Sequence, residues 1–343
     1  MSLADDLDKV IGANAGEQDV NIWLDTKLPE LNDVLGGSVD KGFPVGRMVE
    51  VFGPASCGKT FLSTMVMKAA QEAGGIAGFS DHERSFKADF AEKLGLNVSD
   101  PNKWRYLRPE TFEESINSAI AFCELVRSKE YIPPEAPLVW VFDSVAAMIP
   151  HEKMYDKDGK RRSPKDYNMR DSLLLAKACS QSYPMLAQFA ADNNMLVLLL
   201  NQIRMKPGVM FGDPTTTPGG NAAEFYASIR LSISRSVIKD KETKEASGFK
   251  VNCKTVKNKI ARFDRKAEWE VVYGKQGECD IDVIATQLDY LVKLGAVSKA
   301  SSGRIEFDGK TYARGQLIGI LKKDPEASEE KLNQILIDHL AGE

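Results

Sequence analysis

Histidine is scarce in this chain: His82, His151 and His339 are the only three in 343 residues, too few and too scattered for an imidazole-ligated metal centre. Cysteine is almost as rare. Cys57, Cys123, Cys179, Cys253 and Cys279 show no paired spacing, which argues against a zinc site and for free thiols in a reducing compartment. No apolar run approaches bilayer-spanning length, and no membrane partner is expected. The opening MSLADDLDKVIG is acidic and amphipathic, unlike a secretory leader, so a cytoplasmic location is expected. A basic balance is missing too: the formal charge is −4, and affinity for a polyanion has to come from local patches. Two exist. Residues 235–266 carry eleven Lys/Arg against four acids, and residues 151–170 carry seven against four.

What is present is an alternation. Apolar runs at Met48–Phe52, Ile76–Ser80, Trp104–Leu107, Leu138–Phe142, Met195–Leu200 and Ile229–Ser234 are interleaved with helical patterns. Those patterns fall at Thr60–Ala73, Ser85–Leu94, Phe112–Ser128 and Asp171–Asn193. This order predicts an α/β fold with a mostly parallel central sheet covered by helices on both faces. Phe249–Val256 and Ala267–Tyr273 read as strands that extend the sheet. Residues 1–30, with a helix at Ser2–Ile11 and an extended Val20–Leu28, read as an arm outside the core. Residues 31–277 form the core. From 278 to 343 the pattern becomes a helix at Ile281–Leu294, a hairpin Arg304–Tyr312 around Asp308–Gly309, and helices near Gln316–Lys322 and Ser328–Leu340, which predicts a small α/β C-terminal domain.

Gly53-Pro54-Ala55-Ser56-Cys57-Gly58-Lys59-Thr60 follows the strand MVEVF and opens a helix, the context that gives a GxxxxGKT string its meaning. Its glycines let the backbone wrap a phosphate, and the helix start offers unpaired N–H groups. Lys59 is expected to bridge the β- and γ-phosphates of ATP and Thr60 to ligate Mg²⁺. Asp143 ends the strand LVWVF and is expected to face the same magnesium, with a helix-capping role as the plainer alternative. Glu83, just past another strand, is the candidate base for the attacking water, and His82 or Asp81 could share that task.

The stretch Asn201–Asn221, NQIRMKPGVMFGDPTTTPGGN, joins a buried strand end to a basic loop rich in Thr and Gly. Gln202 can donate to a γ-phosphate while its neighbours run straight into the loop, a position suited to a switch. Arg204 and Lys206 can reach phosphates, Thr216 and Thr217 carry hydroxyl donors, and Gly219 and Gly220 offer backbone N–H groups. Such contacts read no base edges, so binding is expected to be sequence-independent and steeply salt-dependent.

GPASCGKT, WVFDSVAAMIP, NQIRMKPGVMFGDPTTTPGGN, FYASIRL and VKNKI together resemble the bacterial RecA recombinases, from about Trp23 to Ala341. The resemblance implies a RecA-like P-loop ATPase core. It implies a protein that forms ATP-bound helical filaments on single-stranded DNA and exchanges strands with a homologous duplex in recombination and repair. Single-strand DNA-binding and mediator proteins are possible further partners. Glu83 aligns with the family's catalytic glutamate and Gln202 with its γ-phosphate sensor. Phe90 and, more weakly, Tyr273 match aromatics that pack on adenine, although a Phe on an amphipathic helix also suits a core. The loop from about Ile203 to Gly220 matches the primary-strand segment, with Met205 and Asn221 among its expected contacts and Pro207 where an aliphatic wedge is usual. A second DNA-facing loop is expected between Pro150 and Met169, longer and more basic than in the family, with Met169 as its wedge and Lys177 as a phosphate contact. Pro184 stands where the family has a further basic residue. Arg235 and Lys254 are candidates for a second strand-binding site or an ordinary sheet edge. Lys257 and Lys259 match lysines that reach the neighbouring protomer's ATP, and Phe225 matches a subunit-interface aromatic, beside Glu224 where a lysine is usual. The short arm and the lack of a long acidic tail point to a divergent or phage-encoded member. Two rival readings stay open: a ring-forming RecA-fold helicase, and an ATP-regulated DNA-coating protein without strand exchange.

Overall fold

The apolar runs form strands because their alternate residues reach opposite faces of one sheet and both faces are covered. In LVWVFD, Val139 and Val141 enter one core with Val49, Val51, Leu198 and Leu200. Leu138, Trp140 and Phe142 enter the other, with Val197, Leu199, Phe112 and Tyr183. The computed structural model describes residues 19–205, 215–240, 242–274, 279–300 and 302–342. The expected Ser2–Ile11 helix lies outside them.

The strands, in chain order, are β1 (Trp23–Leu24), β2 (Phe43–Pro44), β3 (Met48–Gly53), β4 (Ile76–Asp81), β5 (Trp104–Leu107), β6 (Leu138–Asp143), β7 (Met195–Gln202), β8 (Arg204–Met205), β9 (Thr215–Thr216), β10 (Ile229–Lys239), β11 (Ala246–Asn258), β12 (Lys266–Tyr273), β13 (Cys279–Ile281), β14 (Ile305–Phe307) and β15 (Lys310–Tyr312). Nine of them form the main sheet in the order β13-β12-β11-β10-β3-β7-β6-β4-β5. From β10 to β5 every neighbour is parallel, and from β10 to β13 every neighbour is antiparallel. The parallel strands end level with one another: Gly53 pairs with Gln202, Leu200 with Asp143, and Asp143 with Asp81. Crossover loops leave from that ledge, where open parallel sheets bind ligands.

Three local features depart from the expected pattern. The extended segment 20–28 is not held off the core: Leu24 and Leu28 are buried in it, and β1 pairs with β2. An unexpected helix, Pro29–Gly36, follows, with proline in its first turn and Gly37 in the left-handed region at its C-cap. The helix expected at Ser85–Leu94 shortens to Ala88–Lys93. Asp81 causes this by accepting the backbone N–H groups of Ser85 at 3.2 Å and Phe86 at 3.0 Å, which holds both outside the helix. Helices Val283–Leu294, Arg314–Leu321 and Pro325–Ala341 enclose a separate apolar cluster with the β14–β15 hairpin. Among the described residues no helix is long and apolar enough to cross a membrane.

Candidate nucleotide site and DNA-facing surface

Residues 53–60 turn from β3 into the helix Lys59–Glu72. Gly58, at φ +103°, occupies a backbone region that a side chain would strain, and the helix has no side-chain N-cap. Its first N–H groups therefore have no capping partner, which suits a phosphate. Lys59 folds over the loop, Nζ donating to the carbonyls of Gly53 at 3.1 Å and Pro54 at 2.7 Å. Pro54, Ala55 and Ser56 are exposed. Cys57 is buried and burial pushes its thiol up, so it acts as a small packing group rather than a nucleophile.

Thr60 Oγ1 donates to Asp143 Oδ2 at 3.0 Å. Asp143 thus faces the phosphate loop and is not a helix cap. Burial, then the nearby Glu83 carboxylate, pushes it up to about 7. Among the described residues no cluster of three or more His, Cys, Asp or Glu is arranged to hold a metal. Thr60 and Asp143 fit a magnesium whose other ligands come from phosphate and water.

Asp81, His82 and Glu83 differ in their partners. Asp81 is buried, and besides the two N–H groups it accepts Tyr106 Oη at 2.8 Å. His82 Nε2 meets Ser115 Oγ at 2.9 Å, and burial pushes the ring down to about 4, which leaves it neutral. Glu83 is exposed and points to the ledge, Oε1 accepting from Ser144 Oγ and from Gln202 Nε2, the latter at 2.8 Å. The sequence points to Glu83 and Gln202 separately. Their direct hydrogen bond has no sequence signal.

Beyond Gln202 the chain enters a two-strand stem, Arg204 pairing with Thr216 and Met205 with Thr215. Arg204 and Met205 are exposed and Thr216 is half-buried. The expected contacts Lys206 and Pro207 lie outside the described residues. Thr217 and Gly219 differ from expectation, because both are buried. The Thr217 hydroxyl faces Arg230 Nη2 at 3.4 Å, and Gly219 lies against Cys179 and Val145. Gly220 and Asn221 return to the surface.

Beneath the stem lies a buried polar network that the sequence signals only by a charge inside MVEVF. Glu50 is fully buried; it accepts from Arg230 Nε at 2.6 Å and from Asn201 Nδ2 at 2.9 Å. Asn201 Nδ2 also donates to the carbonyl of Pro218 at 2.9 Å. Arg230 further pairs with Glu224 at 3.3 Å and lies 5.0 Å over the Phe52 ring. The short helix Ala222–Tyr226 presents Phe225, which is 67% exposed. Lys257 donates to the carbonyls of Glu224 and Phe225, and Lys259 to that of Phe225 at 3.4 Å. Burial, Lys259 and Arg230 push Lys257 down to about 8.

The remaining expected contacts divide. Met169 is 91% exposed, and Lys177 forms an exposed pair with Glu152 at 2.9 Å, the kind of bond that yields readily to a phosphate. Arg235 and Lys254 do not share a site. Lys254 is the partner of Ser232 and Arg235 that of Val251, so the two project from opposite faces of the sheet. Lys254 is paired with Asp264 at 2.6 Å. Arg235 lies 5.6 Å over Phe249, a ring that also flanks Gly58 and sits 5.9 Å from Tyr273. Phe90 is half-buried and packs at 6.3 Å on Phe61, one residue beyond Thr60.

A level row of parallel strand ends carrying a phosphate loop, a Thr–Asp pair and an exposed glutamate defines the P-loop class of α/β nucleotide-binding proteins. Sequence comparison narrows that class. The RecA N-terminal domain family matches residues 12–278. The chain is 38% identical to "Protein RecA" of Leptospira meyeri over 327 residues, which is 92% of this chain and 77% of that one. It is 38% identical to "Protein RecA" of Thioalkalivibrio sulfidiphilus, with 87% and 80% covered. For "Protein RecA" of Geobacter sulfurreducens the identity is 35%, with 91% and 87% covered. The chain belongs to the RecA family.

Proposed function

We propose that this protein is a DNA-dependent ATPase that assembles on single-stranded DNA and exchanges strands with a homologous duplex. Family membership supports the coarse part of this reading, recombination and DNA repair. The observation that carries the finer part is the hydrogen bond between Glu83 and Gln202. It joins the candidate base to the residue that opens the DNA-facing stem, so the two ends of the coupling share one contact.

Bound magnesium would neutralise charge on the phosphate oxygens as the terminal bond breaks. Lys59, drawn from its two carbonyls, holds the β- and γ-phosphates. Glu83 orients the attacking water and takes its proton. The Gln202 amide has two N–H donors, one of them engaged by Glu83, and a γ-phosphate that accepts from this amide repositions its side chain. Its backbone continues into Arg204 and Met205, which makes the stem's geometry depend on that repositioning. Arg204, Lys206, Thr216 and the surface N–H groups of Gly220 and Asn221 then meet the DNA backbone, with Met169 and Lys177 on the neighbouring loop.

Lys257 and Lys259 complete the site in trans. Lys257 pairs with Arg230, which pairs with Glu50, three residues short of Gly53, and both lysines run away from their own phosphate loop to the helix Ala222–Tyr226. The test is phosphate release with and without single-stranded DNA, followed by strand exchange with homologous and heterologous duplexes. Stimulated release and homology-dependent exchange are expected. A flat, DNA-insensitive trace would sink the reading.

A further inference from the structure

The loop after Pro150 holds the chain's second basic patch, and its charges are not arranged as an ordinary solvated surface. Residues 154–162 form a small hairpin. Tyr155 bridges Arg161, the Arg162 N–H donates to the Met154 carbonyl at 2.9 Å, and the Asp156 N–H to the Lys160 carbonyl at 2.9 Å. Gly159, at φ +75°, makes the turn. Arg162 pins the base: its Nη1 and Nη2 meet the two oxygens of Asp171 at 3.0 Å each, and they also donate to the carbonyls of Glu152 at 2.9 Å and Asp166 at 3.0 Å.

The acids of this loop are turned onto its own framework. Asp156 accepts the N–H groups of Asp158 at 3.0 Å and Lys160 at 2.9 Å, Asp166 that of Ser163 at 2.9 Å, and Asp171 that of Asn168 at 2.6 Å. Glu152 is paired with Lys177. Among the described residues no carboxylate lies within salt-bridge distance of Lys157, Lys160, Arg161, Lys165 or Arg170, and all five are exposed. Asp158 is the one acid at the tip not so engaged. A pinned hairpin therefore presents cations free of carboxylate partners to solvent, beside exposed acids whose oxygens, Asp158 apart, are engaged by backbone N–H groups or by Lys177.

Two further observations select the ligand. The aromatic rings here are occupied: Tyr167 is flanked by Lys153 at 5.6 Å and Arg162 at 5.4 Å, and Tyr155 packs on His151 and donates to Glu110 at 2.7 Å. Single-strand sites pair cations with free rings on which bases stack; this tip has cations without free rings. Next, the helix Leu174–Asp192, which follows this loop, also supports the foot of the 203–220 segment, since Ala176 and Cys179 lie against Gly220 and Gly219. The hairpin thus stands beside the proposed primary-strand site.

We infer that the Tyr155–Arg162 hairpin is a capture surface for the phosphate backbone of the incoming duplex, with Lys157, Lys160 and Arg161 as its contacts. This rests on the functional reading above. A duplex presents twice the phosphate density of one strand along its axis and is stiff enough to meet a fixed cluster of charges. No base is read, so homologous and heterologous duplexes are captured alike.

The test compares the full chain with a Lys157→Gln, Lys160→Gln, Arg161→Gln variant. Filaments assembled on unlabelled single-stranded DNA with a non-hydrolysable ATP analogue are offered a labelled heterologous duplex across a salt series. Single-strand-stimulated phosphate release is expected to stay within about twofold. Duplex capture is expected to fall about tenfold, and the slope of log K against log salt to become shallower by roughly one unit for each phosphate no longer neutralised. Duplex capture unchanged in affinity and slope overturns the inference. So does an equal loss of single-strand and duplex binding, which assigns the hairpin to the primary strand. A parent chain without single-strand-stimulated release instead overturns the functional reading, a separate result.

Discussion

Glu83 and Gln202 are 119 positions apart and share a hydrogen bond at the ledge, so the first prediction is at single-residue scale. Glu83→Gln keeps the shape and the contacts to Ser144 and Gln202 but cannot accept a proton. ATP affinity is expected to stay within a few-fold while turnover falls roughly 10²- to 10⁴-fold, measured by nucleotide titration and single-turnover phosphate release. Near-normal turnover would remove Glu83 from the role. Glu50 carries a different weight. Glu50→Gln leaves the Arg230 guanidinium buried against a neutral amide, with the half-exposed Glu224 as its counter-charge among the described residues. A loss of about 3 kcal/mol in urea unfolding is expected, and a double change of Glu50 and Arg230 to leucine should cost less than the two single changes summed. Glu50 was legible in principle, because a carboxylate inside a strand covered on both faces needs a partner. Thr217 was not: a threonine facing DNA and one facing a buried arginine are written alike, and the register of β10 alone separates Arg235 from Lys254.

At the scale of elements, the buried parallel strands β3 to β7 were read to within two residues, because an apolar run between two covered faces leaves few alternatives, whereas the more exposed β10 and β11 run five residues past Ser234 and begin three before Phe249. Helix starts were less legible where a side chain from elsewhere competes for the N–H groups, as Asp81 does at Ser85 and Phe86. The Pro29–Gly36 helix had its own signals, proline in the first turn and two glycines at the end, hidden by the polar residues around it. The most consequential element contact is the docking of Lys257 and Lys259 on the carbonyls of the Ala222–Tyr226 helix. It ties the two lysines to the helix that follows the proposed DNA-facing segment. Lys257 is held down at about 8, against an ordinary 10.5, by burial first and by Lys259 and Arg230 next. Between those two values the unfolded chain keeps a proton that the folded chain has released. Stability from this group is therefore gained as pH rises through that window. The difference in melting temperature between the parent and Lys257→Gln should shift in the parent's favour from pH 7.5 to pH 10. A difference that is flat with pH would show that the lysine titrates normally.

At the scale of the whole molecule, the proposed function divides one site between two places on the chain. Its phosphate loop and Glu83 lie at the C-terminal ends of the parallel strands. Lys257, Lys259 and the exposed Phe225 lie toward the other end, as the proposed head-to-tail contact would require. Changes confined to either half should suppress DNA-stimulated turnover, Glu83→Gln by removing the base and the double change Lys257→Ala with Lys259→Ala by removing the trans charges. Mixed filaments separate this from a defect within one chain. When the two variants are combined in equal amounts, about one interface in four joins an intact phosphate-loop half to an intact lysine half, so about a quarter of parental activity should return. Electron microscopy of the same mixture should show open filaments, and closed rings would favour a helicase-like assembly. Activity that stays at the level of the separate variants would mean that the lysines serve their own chain, and a site divided between neighbours would have to be abandoned.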